Sequence, residues 1–68
     1  MWFLVEITIN YDGVSARALW ERSSMDDAVM ALYQGMAYAI ANPDVHMAMF
    51  MIIDEAGRVL KHEHWVRS

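Results

Sequence analysis

From Ala28 to Ile53 the chain carries one ionised side chain, Asp44, in 26 consecutive residues. A span this apolar must be covered on nearly every side, and that demand constrains everything else the chain can fold into. Pro43 divides the span, because proline disfavours helical geometry in the residue before it. The first part predicts a helix from Met25 to Ala41. Ser24 is placed to accept from the free amides of the first turn, and Asp26 and Asp27 meet the positive end of the helix dipole. Met25, Val29, Leu32, Met36 and Ile40 form its main stripe, but Met30, Ala31, Tyr33, Ala37 and Tyr38 leave little polar surface besides Gln34. A surface helix ordinarily has a charged outer side, so this one calls for cover on more than one side. The second part, Val45 to Ile53, carries Met and Phe on both parities, the pattern of a central strand sheltered on both faces.

The flanking segments read as strands that pair with this core. Trp2 to Tyr11 alternates with period two, Phe3, Val5, Ile7 and Ile9 on one side and Glu6, Thr8 and Asn10 on the other. Asp12-Gly13 then predicts a two-residue type I′ turn, in which both central residues need positive φ. That turn sets Tyr11 opposite Val14, Ile9 opposite Ala16, Ile7 opposite Ala18 and Val5 opposite Trp20. After Ile53, Asp54-Glu55-Ala56-Gly57 predicts a turn closed by a left-handed glycine, with Arg58 to Val66 returning as a strand. A three-residue loop Glu55-Ala56-Gly57 sets Met51 opposite Lys61, Met49 opposite Glu63 and Met47 opposite Trp65, and a two-residue loop shifts each pairing by one. The element order is ββαββ. Placing the most apolar strands at the centre gives an α+β fold with a four-stranded antiparallel sheet in the order 2-1-3-4 and the helix packed on one face.

With 68 residues there is room for one domain, residues 1–68. Hydrophobic residues make up 57% and charged ones 21%, which excludes a disordered chain. Domains of this size often recruit disulfides, a metal or a partner subunit, and with no Cys the first route is closed. Nine acidic against five basic residues, the latter scattered, argue against nucleic-acid binding. Met1 to Val5 has no basic segment ahead of it and is followed by Glu6, so a signal peptide is not indicated, and Ala28 to Ala41 is shorter than the roughly 20 residues of a membrane span. The expectation is a cytoplasmic protein with no membrane partner.

One helix shields one side of the sheet. On the other side the expected register gathers Leu4, Leu19, Met47, Met49, Met51 and Trp65, a patch large enough to mark an interaction site. Unbranched methionines adapt to self-complementary or varied partners. Gly35, in mid-helix, costs roughly 1 kcal/mol relative to Ala and points to a close approach of another backbone. The expectation is a homodimer, through the open sheet face or the apolar back of the helix, with an unidentified protein partner on whatever apolar surface the dimer leaves open. The alternative use of the patch is a groove for a small molecule or peptide, for which only Glu6, Arg17 and Glu63 offer polar groups nearby.

Chemistry has fewer signals. His62 and His64 are two apart on a strand and share a face, and His46 has the same parity on the neighbouring strand, so the three imidazoles offer a candidate zinc site with a fourth position for water. The same face carries Phe50, Ile52, Leu60 and Val66, which the helix should bury, and the competing reading places the imidazoles at the margin of the core and on an edge strand. The carboxylate pairs Asp26 with Asp27 and Asp54 with Glu55 sit at element ends, where capping and turn formation account for them. Ser15, Ser23 and Ser24 lack an activating base by local spacing, and the isolated glycines form no phosphate-cradling loop. The expectation is therefore a non-enzymatic protein without a cofactor, the alternative being a metal-binding protein or metal-dependent enzyme built on His46, His62 and His64.

The segments YDGVSARALWE (11–21), SMDDAVMALYQGMAYAIANPDV (24–45) and MIIDEAGRVLKHEHW (51–65) resemble short uncharacterised proteins of prophages and other mobile elements of Firmicutes. The resemblance spans most of the chain, and its motifs are turns and helix stops. It implies an accessory protein of a bacterial or phage genome and carries over no active-site residue.

Overall fold

A computed structural model describes residues 1–13 and 15–68, with side chains described outside 15–18. The elements run β1 (Trp2–Asn10), β2 (Ser15–Arg22), α1 (Met25–Ala41), β3 (Val45–Asp54) and β4 (Val59–Val66). The sheet order is β2-β1-β3-β4, every pairing is antiparallel, and α1 lies across one face. The ββαββ topology is the one the hydrophobic pattern predicts.

The helix begins where its chemistry predicts. Asp27 N–H donates to Ser24 Oγ at 3.1 Å, and the acidic first turn meets the dipole. It ends at Asn42, whose Oδ1 accepts from Asp44 N–H at 3.0 Å and turns the chain past Pro43 into β3. Ala28, Leu32 and Ala39 enter a fully buried core with Leu4, Val45, Ala48, Phe50 and Ile52. The other side of α1 is bare: Met30, Tyr33, Tyr38 and Ile40 are all exposed.

Gly35 is explained inside the chain. A methyl group added there meets Phe50 Cε1 at 2.5 Å and Cζ at 3.2 Å, so the missing side chain makes room for a ring of the underlying sheet. The expected close approach is thus to Phe50 and not to a foreign backbone. Gly35→Ala gains about 1 kcal/mol of helix propensity but overpacks a closed core at about 1–3 kcal/mol. Because Phe50 has nowhere to move, the clash wins, and a thermal melt of the variant should fall by about 5–10 °C. A melt equal to wild type contradicts this packing.

Both hairpins depart from the expected register by one residue, for different reasons. In the first, Gly13 N–H donates to Asn10 O at 3.0 Å and Gly13 has φ 86°, while no other residue type takes positive φ among the described residues. Asp12 therefore lacks the conformation a type I′ turn requires, and the turn starts one residue earlier, at Asn10. Ile9 pairs with Ser15, Ile7 with Arg17, Val5 with Leu19 and Leu4 with Trp20. The expected pairing of Tyr11 with Val14 lies outside the described residues.

The second loop is the three-residue one. Gly57, with φ 82°, donates to Asp54 O at 2.9 Å, and Asp54 N–H donates to Arg58 O at 3.1 Å. Asp54 Oδ1 accepts from the backbone of Ala56 and Arg58 while Oδ2 accepts from Arg58 Nε at 2.8 Å, which holds the Asp54 carboxyl below its ordinary range. Beyond the turn the ladder slips, since Ile53 pairs with Val59 but Ile52 with Lys61, leaving Leu60 as the extra residue of a bulge. Met51 then faces His62, Met49 faces His64 and Met47 faces Val66.

Candidate functional site

Period-two geometry turns these one-residue shifts into an exchange of faces. Leu4, Ala48, Phe50 and Ile52 lie beneath α1 together with the positions of Glu6, Thr8, Lys61, Glu63 and Trp65, which pair with them directly or across one strand. The opposite face carries Phe3, Val5, Ile7 and Ile9 of β1 beside Met47, Met49, Met51 and Ile53 of β3. On β2 the face continues through the positions of Ser15, Arg17 and Glu21 with Leu19 as its apolar member, and on β4 through His62, His64 and Val66. No other element lies on this face among the described residues.

Of the residues expected there, Leu19, Met47, Met49 and Met51 do line the open face. Leu4 does not: it is fully buried under the helix, opposite Trp20 and Ile52. Trp65 packs against the helix-side core, because the Leu60 bulge sets it opposite Ala48. Phe3, Val5, Ile7 and Ile9 take their place. Their signal was plain in the alternation of β1, but an apolar parity is ordinarily assigned to the chain's own helix.

That assignment fails for a physical reason. The helix packs on Ala48, Phe50 and Ile52 of β3, where Gly35 fits the Phe50 ring, and β1 must accept whichever parity is in register with them. It therefore turns Leu4, Glu6 and Thr8 inward and its more apolar side outward. Glu6 bears the cost, its carboxyl raised above the ordinary range by burial. A carboxyl raised in the folded state contributes stability at low pH that is lost as pH rises through its folded value, so at neutral pH the ionised Glu6 opposes folding. Glu6→Gln should accordingly raise the melting temperature at pH 7, the advantage fading as pH falls toward the ordinary value of 4.5. An equal advantage at every pH contradicts the burial of that charge.

The three candidate imidazoles do not converge. His62 and His64 share a face as expected, but the Leu60 bulge turns them onto the open face instead of the helix side, and His46 lies opposite Arg67, near the far end of β3, where the β1–β3 ladder is irregular. Three residues separate it from Met49, the partner of His64, and five from Met51, the partner of His62, about 10 Å and about 17 Å along a strand. Its ring lies 4.9 Å from that of Tyr11, and its buried Nδ1 has no hydrogen-bond partner among the described residues. Among the described residues no three His, Asp or Glu side chains are grouped to hold a metal.

The described cations are engaged by their own chain. Arg22 donates to Glu21 O, Arg58 pairs with Asp54, and Lys61 lies 3.7 Å from Glu63 and 5.4 Å from the centre of the Tyr33 ring. Arg67 donates from Nε to Val45 O and from Nη2 to Ile40 O and Asn42 O. No helix is long and apolar enough to cross a membrane among the described residues. Compared with known proteins, the chain matches no family model, no curated protein and no solved structure.

Proposed function

We propose that this chain is a non-enzymatic protein-interaction module of the cytoplasm that works as a homodimer, two copies closing their open sheet faces on each other. One observation carries the reading: β1 turns Phe3, Val5, Ile7 and Ile9 away from its own helix and accepts a part-buried Glu6 and a buried Thr8 beneath that helix instead. A face of that composition is costly in water and self-complementary in a symmetric pair. At strand spacings of about 4.8 Å and rises of about 3.3 Å per residue, the face projects to roughly 450 Å². Two copies stacked on it bury roughly 900 Å² or more, near the lower limit of specific interfaces.

Stacking sheet on sheet leaves both helices outside, with Met30, Tyr33 and Tyr38 exposed as the surface for a protein partner. The scattered cations, engaged by their own chain at the four whose side chains are described, argue against a nucleic-acid ligand. An accessory role in a bacterial or phage genome, implied by the resemblance of the sequence, suits a module of this kind. Light scattering over a micromolar dilution series tests the pairing. The expected mass is twice that of the chain, falling toward one chain on dilution, and a folded chain of single mass throughout overturns the proposal.

A further inference from the structure

The open face also brings together a set of metal donors that zinc spacing rules do not pick out. Met51 is the direct cross-strand partner of His62, and Met49 of His64. Direct partners share a face with Cβ atoms about 4.5–5.5 Å apart, and the two pairs follow each other along the strands at about 6.5–7 Å. Two imidazoles and two thioethers thus stand at the corners of a small rectangle at the margin of the sheet, on the edge strand β4 and its neighbour. His62 and His64 are exposed, and Met49 and Met51 are half-buried. The Leu60 bulge is what assembles the set: without that extra residue Met51 faces Lys61 and Met49 faces Glu63.

We propose that Met49, Met51, His62 and His64 form a binding site for a soft monovalent cation, Cu(I). The donor chemistry selects the ion. Thioether sulfur is a poor ligand for magnesium, calcium or zinc but a good one for Cu(I), and imidazole suits copper as well. Thioether and imidazole ligands bring no negative charge to offset a second positive one, and the adjacent carboxylate, Glu63, belongs to the helix-side face. Methionine, with three rotatable bonds, can bring sulfur to an ion held by the two imidazoles without moving the backbone. The apolar surroundings of Val5, Ile7 and Met47 favour a low-charge ion over a strongly hydrated divalent one. The site lies on the β3–β4 side of the face that the proposed pair closes, and each chain carries all four donors with or without a second copy.

The test is an anaerobic titration of the full chain with Cu(I) in competition with bathocuproine, a chromophoric Cu(I) chelator. One Cu(I) per chain is expected. Met49→Leu with Met51→Leu conserves volume, which keeps the fold, and should weaken binding by at least about tenfold, since even groups that only support metal ligands cost that much. His62→Gln with His64→Gln should do the same. Met25→Leu with Met36→Leu, thioethers packed against the core beneath the helix, should leave the affinity unchanged. Failure of the wild-type chain to take copper from the chelator overturns the proposal, as does binding that survives either variant of the site or that falls equally with the helix methionines.

Discussion

Phe50→Ala is expected to unfold the chain at 25 °C or to lower its melting temperature by more than about 12 °C. The ring is fully buried in mid-sheet, between the β1 and β4 positions of Glu6 and Glu63, and it fills the notch that Gly35 leaves in the helix. Removing a buried phenylalanine costs about 3–5 kcal/mol, and a chain of this size rarely holds more than that in its whole core. Phe50→Leu keeps most of the volume and should remain folded. Melts of the two variants at one fixed concentration, so that association does not shift the comparison, give the answer. An alanine variant melting within a few degrees of wild type contradicts the account of the core.

Arg67→Met should cost about 2–3 kcal/mol, a fall of about 8–20 °C, although most of the side chain's bonds lie at the surface. One guanidinium gathers three carbonyl oxygens from the chain reversal after α1: Val45 O at 3.0 Å, Ile40 O at 3.0 Å and Asn42 O at 2.9 Å. It also lies 4.6 Å from the centre of the Trp65 ring, and its backbone N–H donates to His46 O at 2.8 Å. The last turn of α1 contains no basic residue, so Arg67, arriving from beyond β4, supplies the positive charge that the helix end lacks. Methionine preserves the stem and removes the fork. Arg67→Lys, a point donor unable to serve three oxygens at once, should recover less than half of the loss in denaturant unfolding. Equal stability of the lysine variant and wild type contradicts the bridging role.

The order of elements was legible in the sequence because local signals agreed: Ser24 starts the helix, Pro43 stops it, and glycines 13 and 57 close the two turns. The faces were less legible, because each depends on a single residue. Asp12-Gly13 fits a two-residue loop as well as a turn beginning at Asn10, and only φ at Asp12 separates them. Leu60 offers no mark of a bulge, being an ordinary strand residue that the ladder passes over. The first slip set Leu4 opposite Trp20, and the second moved Trp65 beneath the helix and brought His62 and His64 out to face Met51 and Met49. The parity of β1 was hidden for another reason. Its own alternation favours Phe3, Val5, Ile7 and Ile9 as core, but the tighter fit of Gly35 on Phe50 decides which side the helix covers. Arg67 gave no signal, since its carbonyl partners are more than 20 residues away in sequence.

That the bare side of the sheet is closed by a second copy is tested most directly by sedimentation equilibrium of Met49→Glu beside Tyr38→Glu. Met49 is central on the open face, while Tyr38 is 78% exposed on the outer side of the helix. A carboxylate at the first position must give up its water in the pair, with only the His64 imidazole across from it, whereas one at the second remains in water. With the sheet face as the interface, Met49→Glu should sediment as a folded single chain and Tyr38→Glu at twice that mass. The reverse result, or two copies retained in both, contradicts the account.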